Sequence, residues 1–529
     1  MSFKLGLRIL AIAVIVWSCF IRFYDLGAKV YWEDETFTSL RVAGYTRQEF
    51  IEATFQGQVI YPPDLLQFQT INTEKGLPDT VASLADDVHP PGYFALLRLW
   101  AEQIGSSPAA MRSLSAVIGL LLLPCVYWLS MTLFHTWPHR QAVSTLAVIF
   151  VAVSPYHIEI ATEARMYSLW LVTTTLAGVF LLRASRHNRR RDWALYSLAG
   201  MASLYVHWFS VLVLLGHGLY VLAVKGLGWT KMHQRYVWAT VAMGAAVVPW
   251  IIFAGSRLTN IYNQTTWTAA PVETGRAFLL KRWRQNLTSL FVNDQGLPQS
   301  LLLEWTIDLL LIGLIVVSLV VVWRRTKMPV WAFVLIGSSI IFGPLAIADL
   351  VLGGRRSTIL RYPAPSFVTI EMAVAFYLMS AASAVRPTSG QTGLSAKAIA
   401  RSLASGCIAI LIVAGIASQT IAAVTFDPAQ QPLVKVATVL NDTPQARLVS
   451  DIRASQLLPL AHLLKADTQL QFLLRPQTPV IPIAKLKAEK LTVFTYAPSG
   501  KLKIALEEQG YKLSPMAGIE DMLRLDYET

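Results

Sequence analysis

Val30–Arg41, VYWEDETFTSLR, comes directly after the first long apolar run and opens a polar segment that lasts to about residue 88. It sets Glu33, Asp34 and Glu35 at the edge of a membrane. Charge at that depth is costly unless it is paired, hydrated or used, so the triplet marks a candidate functional site. A helix starting at Asp34 would bring Phe37, Leu40 and Gly44 to one face at three- and four-residue spacing, a pattern that suits a helix lying along the interface. Asp34 would then sit among first-turn N–H groups that favour an anion, either as a helix cap or as a functional carboxylate.

The composition agrees with a membrane setting. Of 529 residues, 54% are hydrophobic and 15% charged, against about 25% charged in ordinary globular domains. The net charge of +13 falls in short clusters between apolar runs, as orientation signals do, which argues against a nucleic-acid partner. The three cysteines, Cys19, Cys125 and Cys407, lie inside apolar runs and suggest neither a disulfide framework nor a metal site. The N-terminal run has no small-residue cleavage site after it and is expected to remain as a first span, Leu5 to Phe23.

Beyond the polar segment, HPPGYFALLRLW (residues 89–100) begins a short apolar stretch, and ten further runs lie between Leu114 and Val424. Basic clusters at Arg183–Arg191, Lys225–Arg235, Arg324–Lys327 and Arg386–Arg401 are expected on the cytoplasmic side. Residues 24–88, 159–165, 255–300 and 353–362, with the C-terminal tail, then face outward. Only an even number of crossings fits between residues 88 and 159, so either the HPP stretch or Ala142–Pro155 falls short of spanning. The expected fold is a polytopic α-helical membrane protein with about eleven transmembrane helices (about eleven to thirteen). Residues 1–424 form the membrane domain, with outer loops 24–88 and 255–300, and residues 425–529, where strand-like and helical stretches alternate, form a small soluble α/β domain. The setting is the plasma (inner) membrane, with the N-terminus cytoplasmic and the C-terminus extracytoplasmic.

The outer loop 255–300 holds RAFLLKRWRQNLTSLF, where Phe278, Leu279, Arg282 and Trp283 suit an interfacial helix. It also holds the triplets Asn263-Gln-Thr265 and Asn286-Leu-Thr288, short matches to a glycosylation acceptor. Outward ionisable residues gather at Asp34 and Glu35; at Asp86, Asp87 and His89; at His157, Glu159, Glu163 and Arg165; and at Arg355, Arg356, Arg361 and Tyr362. Carboxylates with arginines suit attack by a hydroxyl on a carbon that bears a phosphate leaving group: a carboxylate takes the proton and guanidinium groups stabilise the growing charge. An interfacial site allows the donor to be a lipid phosphate. Each residue also has a plainer use: His89 can brace its turn, Arg165 can snorkel, and Arg361 and Tyr362 can anchor a span. His207 and Trp208 fit interfacial packing better than ligation. No histidine pair has a strong metal spacing, so a divalent metal is allowed but not indicated, and no cofactor is called for.

The ordered motifs WEDETF, DDVHPPGYFALLRLW, MRSLSAVIGLLLLPCVYWLSMTLF, SPYHIEIATEARMYSLW and RYPAPSF resemble the GT-C membrane glycosyltransferases of the protein O-mannosyltransferase and aminoarabinose transferase type. The resemblance covers roughly residues 5–385. It implies an enzyme that takes a sugar from a polyprenyl-phosphate donor and transfers it with inversion on the outer face, with Asp34, paired with Glu35, as general base. It also implies that His89 to Pro91 lie near the donor phosphate, that Glu163 and Arg165 border the same cavity, and that Arg361 contacts phosphate. HPPG stands where the family commonly has HPPL, and loop 255–300 is far shorter than the lumenal module of the eukaryotic mannosyltransferases, so the acceptor (lipid, glycan or protein hydroxyl) stays open. The competing reading is a transporter or flippase of a charged lipid or glycan, which also places ionisable groups in a membrane cavity. A transporter more often shows repeated halves, and none is visible here.

Overall fold

The computed structural model describes residues 3–255, 266–269, 275–293, 300–383, 396–474 and 491–527. The chain divides into two compact units: Met1–Tyr24, Ala85–Tyr93 and Arg112–Thr425 make the first, and Asp25–Leu84, Phe94–Met111 and Phe426–Thr529 the second.

The first unit is helical. Among the described residues, seven helices are long and apolar enough to cross a membrane: Leu5–Phe23, Pro108–Leu133, Tyr167–His187, Lys231–Gly255, Leu301–Arg325, Ala364–Ala382 and Ala398–Thr425. Two bent pairs, Arg140–Val153 with Pro155–Ala161 (59°) and Met328–Ser339 with Phe342–Leu352 (41°), raise the number to nine if each pair is one span. The first bend falls where Pro155 begins a new helix, a position that needs no N–H partner. The eleven expected spans are not reached by length and composition. Arg190–Val206 and Ser210–Lys225 have only 17 and 16 residues. The HPP helix, Gly92–Ile104, has 13, or about 20 Å against the roughly 30 Å of a hydrocarbon core.

Two of the basic clusters meet, with Arg235 donating to the Asn188 carbonyl, and Arg183 is bound to Asp192 at 3.1 Å. Elsewhere in the unit, Tyr156 N donates to Ser289 O (3.1 Å), Trp283 Nε1 to Ser357 Oγ (2.8 Å) and Asn286 Nδ2 to Thr358 O (3.2 Å). Asn286 is therefore buried and engaged, which removes it as a glycosylation acceptor; Asn263 to Thr265 and most of the basic cluster at 386–401 lie outside the described residues. The helix Gly275–Thr288 buries Leu279 and Arg284, with Arg284 2.7 Å from Glu304 and from Asp308. This packed face, more than an interfacial one, accounts for part of its basic charge.

The second unit carries a six-stranded sheet of order β1-β3-β2-β4-β6-β5. β1 is Gln56–Ile60, β2 Ala446–Ser450, β3 Gln469–Leu473, β4 Thr492–Tyr496, β5 Tyr511–Pro515 and β6 Met522–Tyr527. β2 runs parallel to β3 and β4, and the other pairs are antiparallel. Side chains alternate between two cores, as the two-residue period of a strand requires. Leu448, Leu470, Phe472 and Phe494 pack on one face with Leu40, Phe50 and Phe55, while Val449, Leu473 and Val493 pack on the other with Leu502 and Leu506. Residues 25–84, expected as an outer loop of a membrane domain ending at 424, thus supply a strand and much of one core, and the α/β unit does not consist of residues 425–529 alone. Phe55 binds this segment to the sheet by meeting the Phe472 ring at 5.7 Å, and Phe50 links Phe55 to Phe68 within the segment.

The acids and prolines of that segment build helix starts. Thr46 and Glu49 form a reciprocal capping box, Asp64 accepts from Tyr61 N (2.8 Å), and Asp79 accepts from Gly76 N (2.7 Å). The chain leaves Glu33–Val42 at Gly44, whose φ of +93° favours glycine and whose hypothetical Cβ would lie 3.0 Å from the Cβ atoms of Asp79 and Lys75.

Candidate functional site

Asp34 and Glu35 occupy the first turn of the helix Glu33–Val42 in the second unit. The helix begins one residue earlier than expected, with Trp32 at the N-cap, so Asp34 is inside the helix and is not its cap. Leu40 is fully buried and Phe37 packs on the same core, so this face meets protein instead of lying along a lipid interface. Glu35 is completely buried and Asp34 half-buried. Three carboxylates in a first turn complement the N–H groups there. Nearby, burial lowers the pKa of Arg47 from its ordinary value, although the Glu33 carboxylate opposes this.

The first unit gathers the remaining core candidates. His89 Nδ1 lies 2.6 Å from Asp87 Oδ1, and Arg165 Nη2 lies 3.1 Å from His89 Nε2. A guanidinium only donates, so Nε2 must accept; Nδ1 then carries the proton and donates to Asp87. Asp87 thereby sets the tautomer of a neutral imidazole, and the imidazole aims Arg165. Arg165 is itself 4% exposed, so its direction is fixed by neighbours and not by solvent. Arg361 Nη1 stands 3.9 Å from Glu163 Oε2, beyond hydrogen-bond length, and its guanidinium lies 5.6 Å from the Tyr167 ring centre. Asp86 belongs to the turn before this group, and its side chain is not described.

An aromatic cluster lies beside Arg361. His207 stacks on Trp170 (4.2 Å) and meets Tyr167 (5.8 Å) and Tyr362 (6.5 Å), while Tyr362 packs on Phe209 at 4.8 Å. Burial, reinforced by the charge of Arg165, holds the His207 imidazole well below its ordinary value. Its Nδ1 accepts from Phe209 N at 3.1 Å. His207 does serve packing, as expected, but within this cluster.

Arg355 and Arg356 are employed elsewhere. Arg355 N donates to Thr268 O (2.8 Å), and its guanidinium lies 5.2 Å from the Trp267 ring centre. Buried Asp349 accepts from Arg356 N (3.0 Å), Arg356 Nη1 (3.1 Å), Ser357 N (2.6 Å) and Ser357 Oγ (2.7 Å). The Asp349 contacts give the Arg356 side chain a structural task in its loop. The sequence reading missed Asp349, and it missed Glu371, which bonds His157 at 2.8 Å. Each is a lone carboxylate within an apolar run, which was a signal for it.

Gly92 accounts for HPPG. A Cβ there would fall 2.7 Å from the Tyr205 carbonyl oxygen, so the start of the HPP helix touches backbone where a leucine could not fit. Among the described residues no group of three or more His, Cys, Asp or Glu is placed to hold a metal ion.

A family model described as dolichyl-phosphate-mannose-protein mannosyltransferase matches residues 88–253, a stretch that includes His89, Glu163, Arg165 and His207. No curated protein matches the chain. Among solved structures it is similar to ArnT from Cupriavidus metallidurans in the apo state, with 14% identity, 99% of this chain and 98% of that chain covered, and a TM-score of 0.54. The likeness to ArnT bound to undecaprenyl phosphate has 13% identity, 98% of each chain and a TM-score of 0.55. This is the GT-C fold. The Archaeoglobus fulgidus oligosaccharyltransferase tethered with an acceptor peptide shares it, at 11% identity over 98% of this chain and 74% of that one, with a TM-score of 0.50. At such identities the likeness is one of fold; with the apolar spans it makes this a polytopic GT-C membrane protein with a small C-terminal sheet region.

Proposed function

We propose that this protein is a glycosyltransferase that moves a sugar from a polyprenyl-phosphate donor to an acceptor hydroxyl on the extracytoplasmic face of the plasma membrane. The observation that carries the reading is the oriented pair Asp87–His89 aiming Arg165, with Arg361 beside the aromatic cluster. The match to a dolichyl-phosphate-mannose family model and the likeness to a structure holding undecaprenyl phosphate support the donor class.

In the proposed reaction an acceptor oxygen attacks the sugar carbon that bears the phosphate, with inversion. The new glycosidic C–O bond forms as the bond to the phosphate oxygen breaks, and polyprenyl phosphate leaves. Asp34 takes the hydroxyl proton, with Glu35 beside it, and Arg165 and Arg361 stabilise the charge that grows on the phosphate. His89 and Tyr362 border the phosphate, and Glu163 keeps Arg361 in place until phosphate displaces it as the partner. Arg361 is well suited to that exchange, because 3.9 Å from Glu163 is a loose ion pair and a phosphate offers bidentate geometry. Membrane lipids surround the donor chain. The N-terminus is cytoplasmic and the C-terminus extracytoplasmic in this scheme.

The test is Asp34→Asn. It is expected to reduce transfer by about a hundredfold to ten-thousandfold, as loss of a general base does, while binding of polyprenyl phosphate is kept. Turnover equal to wild type would remove Asp34 from the base role.

A further inference from the structure

His157 and Glu371 are 1% and 0% exposed at their side chains and lie 2.8 Å apart, 214 residues distant in sequence. Both sit in the membrane unit, and the scheme above uses neither. Among the described residues, His157 Nδ1 and Glu371 Oε1 have no hydrogen-bond partner. Two ionisable side chains in so apolar a setting are retained only where they have a task.

Their place in the chain indicates that task. His157 is in the short helix Pro155–Ala161, which leads within a few residues to Glu163 and Arg165. Glu371 is in the helix Ala364–Ala382, which begins just after Arg361 and Tyr362. The bond therefore joins the two elements whose ends carry the two halves of the arginine cluster. Its surroundings reinforce the junction: Tyr156 packs edge-on against Phe367 at 4.8 Å and against His157 at 5.1 Å. Gln419 Nε2 donates to Pro155 O at 3.0 Å. The bend of 59° just before the short helix leaves it without continuous backbone support from Arg140–Val153, so a side-chain tie has to fix its direction.

We propose that His157 and Glu371 are positioning residues that clamp the short helix to the helix Ala364–Ala382 and so set the distance between Arg165 and Arg361. The substrate named for the clamped cluster, a polyprenyl phosphate, rests on the function proposed above; the clamp itself does not. The clamp works through one hydrogen bond from the imidazole N–H to a side-chain oxygen and needs no net charge.

The experiment uses the full-length protein in lipid nanodiscs, with amide hydrogen exchange in segments 159–165 and 356–362 and binding of undecaprenyl phosphate as readouts. His157→Leu/Glu371→Leu replaces the pair with apolar side chains and so keeps the membrane unit folded. It is expected to raise exchange in both segments at least about tenfold and to weaken undecaprenyl phosphate binding by about tenfold or more. Glu371→Gln keeps an oxygen for the imidazole and is expected to stay near wild type in both. Unchanged exchange in the double variant would overturn the clamp. So would a Glu371→Gln protein with wild-type exchange and no turnover, because that pattern belongs to a titrating group. If wild-type protein binds no undecaprenyl phosphate, the functional reading fails, while the exchange data still decide the clamp.

Discussion

Replacing His89 by alanine tests how the arginine cluster is aimed. In the native arrangement His89 Nε2 accepts from Arg165 at 3.1 Å while Nδ1 donates to Asp87 at 2.6 Å. His89→Ala removes both contacts and leaves a buried guanidinium without its aiming acceptor. A hydrogen bond to a charged group contributes about 1.5–3 kcal/mol. If Arg165 must be aimed to meet phosphate, that loss appears as about 10- to 100-fold weaker binding, at about 1.4 kcal/mol per tenfold. Asp87→Asn keeps an oxygen for Nδ1–H and should cost less, at most about tenfold. The assay is competition of unlabelled polyprenyl phosphate against labelled donor, with the melting temperature followed to exclude unfolding. A folded His89→Ala protein with wild-type affinity would refute the idea that this relay orients Arg165 for phosphate.

Two further predictions separate structural from functional charge. Arg361→Ala should lower donor affinity about tenfold or more and leave the melting temperature within a few degrees, since its ion pair with Glu163 is long. Arg356→Ala should do the reverse, because Arg356 partners the buried Asp349 carboxylate and its loss leaves that charge under-compensated; thermal unfolding with donor titration distinguishes them. In the second unit, the Glu49 carboxyl is held below its ordinary 4.5: burial opposes this, but hydrogen bonds from Thr46 and Lys75 outweigh it. Lys75 is raised above its ordinary 10.5, chiefly by its hydrogen bond to Glu49. The carboxyl's contribution is therefore present above 4.5 and lost as pH falls through the lowered value, while that of Lys75 is lost as pH rises through its raised one. Glu49→Gln should cost up to about 1 kcal/mol near neutral pH for this partly exposed pair, and the difference should vanish in acid, as urea titrations at several pH values would show.

The membrane character and the grouping of His89 with Arg165 and of Glu163 with Arg361 were legible in the sequence because ionisable residues between apolar runs have few places to go. The sheet was only half legible. The alternation in ARLVS and TVFTY marks strands, but QGQVI (residues 56–60) is short, mostly polar and exposed on three of its five residues, and it becomes a strand only because β3 offers it an edge. The bond from Arg356 to Asp349 was hidden for a related reason: charge alone does not tell a phosphate ligand from the partner of a carboxylate that comes from the preceding apolar run. The span count rests on helices such as Arg190–Val206 and Ser210–Lys225, whose 17 and 16 residues fall just short of the usual crossing length.

The most direct measurement of the central claim is a transfer assay with purified protein in lipid vesicles, a radiolabelled polyprenyl-phosphate sugar and membrane extract as acceptor source. The account predicts that label leaves the donor lipid for a new product while polyprenyl phosphate accumulates in equal amount. A donor that stays chemically intact while labelled lipid crosses the bilayer would contradict it and assign the protein to lipid translocation.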